Sequence, residues 1–286
     1  VFTSAQLDAY LERIGLRTAR RTGLRTLVAL HRAHIEAIAY ESLDIHLGRP
    51  IRLERDALFE KLVERRRGGF CYEQNEVMAH ALEAMGFEVV RMRGGVARAV
   101  HGDREWFNHL PLLVRLKKGD YLADAGLGLG FCDPLPLAEG SHRVGSFNFS
   151  LRRLDERLWR CSLDPRVELL SFDFDLSPRR IEDYGPKCRE LETSPESGFV
   201  KTLAVERPRP HEVRALRART LTVHDPKLPD GKSVATVETA EEFGRLLTDE
   251  FGLALTGAEI AELWPRACEQ HRRHLAEQEE KAAHSA

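Results

Sequence analysis

The stretch Arg67-Gly68-Gly69-Phe70-Cys71-Tyr72-Glu73-Gln74-Asn75 decides how the rest of the chain is read. Two glycines let the backbone turn sharply. Val77, Met78, Ala81, Leu82 and Met85 then recur at helical spacing, with Gly86 where a C-terminal cap belongs. Cys71 is thereby expected at or near a helix N-terminus, where orphan N–H groups and the positive end of the helix dipole favour thiolate over thiol. Arg65, Arg66 and Arg67 add cationic charge if any of them points inward. A cysteine opening an apolar helix is more often a small buried hydrophobe, so a nucleophile needs partners elsewhere in the chain.

A thiolate nucleophile works with a histidine as proton shuttle and a third group that orients it. Of 12 histidines, His109 stands out by context, in Trp106-Phe107-Asn108-His109-Leu110 at the entrance to an apolar strand. Asp124 is the only charge in Tyr121-Leu122-Ala123-Asp124-Ala125-Gly126. A carboxylate in such an apolar segment needs a strong partner. Either an imidazolium is that partner, or Asp124 bonds the backbone amides of the Gly126-x-Gly128-x-Gly130 turn. A hairpin folded about Lys118–Gly119 sets Asp124 opposite Leu113, which puts His109 and Asp124 on one face of the sheet. It also leaves four residues of strand between them, about 13 Å at ~3.4 Å per residue. Either Pro111 marks a bend that carries His109 back, or the strands pair in another way.

Working outward, the first third reads as helices. Leu7, Tyr10, Leu11 and Ile14 share one face, as do Leu24, Leu27, Leu30, Ile35 and Ile38, then Leu58, Phe59, Leu62 and Val63. From Phe87 the pattern becomes strand-like: 87–93, 110–116, 121–126, 146–154, 157–163 and 168–176, with Lys117–Asp120 as a hairpin turn. Short strands without intervening helices suggest a sandwich or barrel. A looser region, 186–198, precedes a mixed segment with strands in FVKTLAVE, VRALRARTLTVH and VATVE. A helix over 238–253 follows, opened by Thr239-x-x-Glu242 and closed by Gly252. The charged tail after Trp264 is expected to end in a frayed stretch. These patterns give three modules: helical over 1–86, β over 87–192 and α/β over 193–286.

Composition excludes several classes. The 286 residues carry a net charge of −2, which gives no general pull toward nucleic acid or anionic membrane. A 42% hydrophobic fraction supports packed cores, and no apolar stretch approaches the ~18 residues of a spanning helix. The five cysteines, at 71, 132, 161, 188 and 268, are odd in number and irregularly spaced, with no C-x-x-C pair to suggest zinc. Residues 1–15 lack the apolar core of a secretory signal. A reducing, cytoplasmic setting is expected.

The string RGGFCYEQN, followed by NHLPLLV and YLADAGLG, resembles the arylamine N-acetyltransferases, with their R-G-G-x-C-x-E-x-N segment, histidine before an apolar strand, and D-x-G-F-G segment. Tyr40-Glu41-Ser42-Leu43-Asp44 resembles the family's P-F-E-N-L stretch; Leu47-Gly48, Asp133-Pro134-Leu135 and Thr193–Phe199 extend the likeness over about residues 6–255. The resemblance implies an α+β fold of helical bundle, β-barrel and α/β lid around a cysteine-protease-like Cys-His-Asp core. It implies Cys71 as nucleophile, His109 as partner and Asp124 as orienting carboxylate. Acetyl-coenzyme A would acylate the cysteine, and an aromatic amine or hydrazine would take the acyl group, with no metal, nucleic acid or membrane involved. Glu73 and Asn75 would support the loop and helix start.

The chain departs from the family pattern at Leu127, in place of the phenylalanine of D-x-G-F-G, and at Ala39, Tyr40 and Ser42. None touches the triad, so the departures bear on the acceptor. The nearest rival is an ansamycin-type amide synthase, which would take a polyketide from a carrier-protein thioester. A thiol hydrolase and a non-catalytic binding module are further alternatives. His31-x-x-His34 and His271-x-x-His274 lack a third ligand and read as core or surface histidines. The Gly126-x-Gly128-x-Gly130 turn runs into Asp133-Pro134 rather than a helix, unlike a dinucleotide fingerprint. The basic cluster Arg17, Arg20, Arg21 and Arg25 reads as a solvated face or as a holder of coenzyme A phosphates. Cys132 lies near the glycine turn and reads as packing.

Overall fold

Thr3 caps the first helix: its hydroxyl accepts from Gln6 N–H at 3.2 Å and its own N–H donates to Gln6 Oε1 at 3.1 Å. The computed structural model describes residues 1–17, 21–167, 169 and 171–285. Its elements are α1 (Ser4–Arg13), α2 (Leu24–Ala37), β1 (Tyr40–Glu41), α3 (Leu43–His46), α4 (Arg55–Phe59, continued by a π-helical turn Glu60–Glu64) and α5 (Cys71–Ala84). Then come β2 (Glu88–Val96), α6 (Arg98–His101), β3 (Leu112–Leu116), β4 (Gly119–Ala123), β5 (Leu135–Pro136), β6 (Gly140–Val144), β7 (Phe147–Arg153), β8 (Leu158–Ser162) and β9 (Ser171–Pro178). The last part holds α7 (Gly185–Thr193), α8 (Gly198–Lys201), β10 (Ala204–Pro208), β11 (Val213–Arg217), β12 (Thr220–His224), β13 (Lys232–Thr236), α9 (Ala240–Arg245) and α10 (Gly257–Ser285). Residues 168 and 170 of the expected strand 168–176, and Arg20 of the basic cluster, lie outside the described residues.

Eight antiparallel strands run in the order β5-β4-β3-β2-β9-β8-β7-β6. Residues 137–139 alone join the two edge strands, so the sheet curls into a nearly closed barrel. β2 spans two neighbours, pairing with β3 through Glu88–Arg91 and with β9 through Met92–Val96, with a register shift between Met92 and Arg93. The second sheet, β1-β10-β11-β12-β13, draws β1 from between two N-terminal helices into the C-terminal part of the chain. Cross-strand pairing over 160 residues of separation is invisible to local pattern, and β1 was not expected as a strand.

One apolar core runs without interruption from the N-terminal helices into the barrel, through residues such as Tyr10, Met78, Leu113 and Phe172. A second core, with Leu203, Phe243, Phe251 and Leu263, lies under the C-terminal sheet. Each such side chain contributes about 1.5–3 kcal/mol by leaving water.

Four expectations are corrected. The looser region 186–198 contains α7, a nine-residue helix with a proline in its first turn, where the missing N–H costs nothing. FVKTLAVE opens as the helical turn α8 before becoming β10. The β3–β4 hairpin turns on Lys117–Lys118, with Leu116 opposite Gly119. Gly119 has φ +135°, a conformation glycine adopts freely, and the register moves by two residues from the one expected. The tail after Trp264, whose last stretch was expected to fray, is part of α10, which runs to Ser285. Among the described residues, no helix is long and apolar enough to cross a membrane.

Candidate active site

Cys71 is the first residue of α5, as the glycine pair and apolar spacing predict. Its position is fixed from the loop before it: Glu41 N–H donates to Gly69 O at 3.0 Å, tying the loop to β1. Gln74 Nε2 donates to Ala39 O (2.7 Å) and Gly69 O (3.1 Å). Glu73 folds back, its Oε2 accepting from Phe70 N–H at 3.2 Å and its Oε1 from Lys61 Nζ at 2.7 Å. Burial pushes the Glu73 carboxyl up to about 7, against the pull of Lys61.

His109 and Asp124 meet. The register places Ala123 opposite Leu112, so Asp124 faces the Pro111 position, two residues from His109 rather than four. A shift of two preserves parity, so both stay on one face. His109 keeps its place on β2, where Gly94 N–H donates to its carbonyl at 2.9 Å, and the ladder needs no bulge at Pro111. His109 Nε2 lies 2.6 Å from Asp124 Oδ2, with both residues 1% exposed.

The alternative roles of Asp124 turn out to be simultaneous. Oδ2 takes the imidazole, while Oδ1 accepts from Gly126 N–H at 3.0 Å and from Asn75 Nδ2 at 2.7 Å. Asn75 also accepts from Ala125 N–H through Oδ1 at 2.8 Å and donates to Leu110 O at 2.7 Å, clamping both strands. Its place four residues after Cys71, on the same helix face, is the signal that could have assigned it to the carboxylate rather than to the helix start. Sequence reasoning missed His31, which accepts Asp124 N–H at Nε2 (3.0 Å) and donates from Nδ1 to Cys132 O (2.8 Å). Burial lowers its pKa, which keeps this ring neutral. His34 is likewise a core histidine, between Tyr10 and Gln74. Among the described residues, no group of three or more His, Cys, Asp or Glu could hold a metal ion.

The electrostatics of Cys71 differ from expectation. Burial, reinforced by the Asp124 charge, pushes the thiol well above its ordinary value; the Tyr72 backbone N–H at the helix start pulls it down but does not prevail. Of the three arginines, only Arg67 is buried, and carboxylates engage it: Glu259 at 2.9 Å, Asp44 at 3.4 Å and Glu41 at 3.8 Å. The thiol donates to Asn108 O at 3.6 Å. A thiolate here requires an imidazolium beside it. With Nε2 on Asp124, Nδ1 is the ring nitrogen left for that exchange.

Gly126 packs directly on Cys71, since a Cβ there would stand 2.7 Å from both Cα and O of that residue. Cys71 and His109 open into a cavity of about 580 Å³ lined from all parts of the chain: Tyr40 from β1, Leu127 and Gly128 from the glycine turn, Phe199, Glu206 and Arg217 from the C-terminal part. Leu127 and Tyr40, two of the departures from the family pattern, are thus cavity wall. Arg17, Arg21 and Arg25 are exposed and away from this lining, and Cys132 is not part of it.

The arrangement can form and discharge an acyl-thioester. The family model for N-acetyltransferase matches residues 23–260. The mouse protein arylamine N-acetyltransferase 2 is 30% identical over 275 residues, covering 87% of this chain and 94% of the relative. The arylamine N-acetyltransferase structure from Mycobacterium abscessus superposes with a TM-score of 0.82 at 28% identity, covering 92% of this chain and 95% of that one. The Mycobacterium marinum arylamine N-acetyltransferase, solved in complex with CoA, superposes with a TM-score of 0.80 at 29% identity, covering 91% of this chain and 98% of that one.

Proposed function

Because the chain belongs to the arylamine N-acetyltransferase family and transfers acetyl groups from acetyl-coenzyme A to aromatic amines, we propose that it does so through a thioester on Cys71, with His109 as proton shuttle and Asp124 as the carboxylate that orients it. The observation that carries this reading is the buried 2.6 Å contact of His109 with Asp124 in a cavity that also presents Cys71.

His109 takes the thiol proton at Nδ1, and Asp124 stabilises the imidazolium that forms. The Cys71 sulfur attacks the acetyl carbonyl, and the developing oxyanion is met by the Cys71 N–H, which at the first helical position has no intrahelical acceptor. The carbon–sulfur bond to coenzyme A breaks, and the departing thiolate takes the proton from His109. Thioester exchange is nearly isoenergetic, so the acyl group is stored without a deep trap. The amine then attacks the acetyl-Cys71 carbonyl, gives its proton to His109, and the Cys71 sulfur leaves. Water is excluded by burial: Cys71 is 2% exposed. An arylhydrazine fits the same chemistry. A reducing cytoplasmic setting belongs to this proposal and is supported by five unpaired cysteines.

Intact-mass measurement after mixing with acetyl-coenzyme A tests the proposal. One acetyl group is expected on Cys71, discharged on adding an arylamine. Absence of acetylation, or coenzyme A release that does not depend on the amine, overturns it.

A further inference from the structure

Beyond the triad, the cavity contains one deeply buried charge. Glu206 lies on β10 opposite Tyr40 of β1 and is 6% exposed. Among the described residues, both hydrogen bonds it accepts land on Oε1, from Arg217 Nη2 at 3.0 Å and Nε at 3.3 Å. Oε2 is turned to the glycine turn, where a Cβ at position 128 would overlap it. That turn touches Cys71 through Gly126 and Glu206 through Gly128. The two positions are separated by two residues, at most about 7 Å of backbone. This is a span comparable to one substituted benzene ring.

Much of the remaining wall is apolar, including Val96, Leu127, Leu129 and Phe199. A buried carboxylate with an oxygen turned into such a space is costly unless a donor meets it. Arg217 offsets part of the charge, but its side chain is 43% exposed against 8% for Glu206, so water screens the cation more than the anion. The ring-binding end of the cavity therefore has an acceptor of hydrogen bonds at negative potential.

We infer that Glu206 selects the acceptor amine: the preferred arylamine has a cationic or N–H donor group on the ring position remote from the reacting nitrogen, and an anionic group there is disfavoured. This rests on the acetyl-transfer reading above and narrows its substrate class. A charge-assisted hydrogen bond from the remote group to Oε2 fixes the ring with its amine toward acetyl-Cys71.

The test compares kcat/KM for 4-aminobenzamidine, 4-methylaniline and 4-aminobenzoate in the wild type, Glu206→Gln and Arg217→Gln. Ratios between acceptors within one protein report the second half-reaction alone. In Glu206→Gln the amidine-to-methyl ratio is expected to fall about tenfold or more relative to wild type. In Arg217→Gln it is expected to rise, because the carboxylate loses its counter-ion. Opposite movements of the two ratios are not produced by a general loss of packing, and Arg217→Gln retains the test if Glu206→Gln does not fold. Equal ratios in all three proteins, or a wild-type preference for 4-aminobenzoate that Arg217→Gln abolishes, overturn the inference. If wild-type Cys71 is acetylated while the ratios stay fixed, only this inference fails. If Cys71 is never acetylated, the acetyl-transfer reading fails with it.

Discussion

Asp124 gives its two oxygens to different tasks: Oδ2 stands 2.6 Å from His109 Nε2, while Oδ1 is held by Asn75 Nδ2 and Gly126 N–H. The division fixes the tautomer of the histidine, because a carboxylate at Oδ2 accepts and Nε2 must carry the proton. Nδ1 is then bare, as the proposed transfer of the thiol proton requires.

Asp124→Asn keeps the size but reverses this logic. The two donors at Oδ1 hold the amide oxygen there, so the amide nitrogen faces His109 and Nε2 becomes the acceptor. Nδ1 then carries a proton and no longer acts as a base. Single-turnover acetylation of Cys71, followed by intact mass, is expected to slow about 10²–10⁴-fold with the fold unchanged by circular dichroism.

Cys71 has a second dependence on His109. Burial holds the isolated thiol well above its ordinary value, so the thiolate exists only as the partner of an imidazolium. In His109→Gln, alkylation of Cys71 by iodoacetamide at pH 7 is expected to fall at least about tenfold and to rise only at alkaline pH. Peptide mapping of the alkylated protein reads this at Cys71 itself.

Gly126→Ala places a methyl group 2.7 Å from the backbone of Cys71 and 2.6 Å from Asn75 Nδ2. The backbone at the start of α5 is tied to β1 and cannot yield freely. A loss of about 1–3 kcal/mol in urea denaturation is expected, with slower acetylation of Cys71 because its backbone is displaced.

His34 makes stability depend on pH. Gln74 Nε2 donates to two carbonyls, so its Oε1 faces His34 Nε2–H at 2.7 Å, and Tyr10 OH donates to the bare Nδ1 at 2.8 Å. Burial lowers the His34 pKa from 6.5 to about 3. A depressed folded-state value means that the contribution is present above pH 6.5 and is lost as pH falls toward 3. From pH 7 to pH 5 the loss is about 2 kcal/mol. Urea denaturation at both values is expected to show a wild-type decrease larger than that of His34→Gln by this amount; equal decreases count against it.

Much of the architecture was legible because it is written in local periodicity. The N-terminal helices and the strands from Phe87 onward show their apolar spacing directly. α7 was missed because it offers only Cys188 and Leu191 to the core, too few apolar positions to show a helical period. α5 was found from its apolar half, yet Glu73, Gln74, Asn75 and Glu76 are also buried. Buried polar side chains satisfied by distant partners look like surface in a sequence.

The sequence by itself determined which residues the proposed chemistry uses: a cysteine opening a helix after two glycines, a histidine entering an apolar strand and one aspartate in an apolar segment. It also determined that His109 and Asp124 share a face, because alternation along a strand is local and survives a two-residue slip. The tertiary structure alone decided that they touch, since the choice between Lys117–Lys118 and Lys118–Gly119 as the turn sets the register. It alone decided that burial outweighs the helix dipole at Cys71, and that Glu206, 135 residues away in the chain, lines the same cavity. Desolvation and long-range ion pairing depend on what surrounds a group in space, and neighbours in space are not neighbours in sequence.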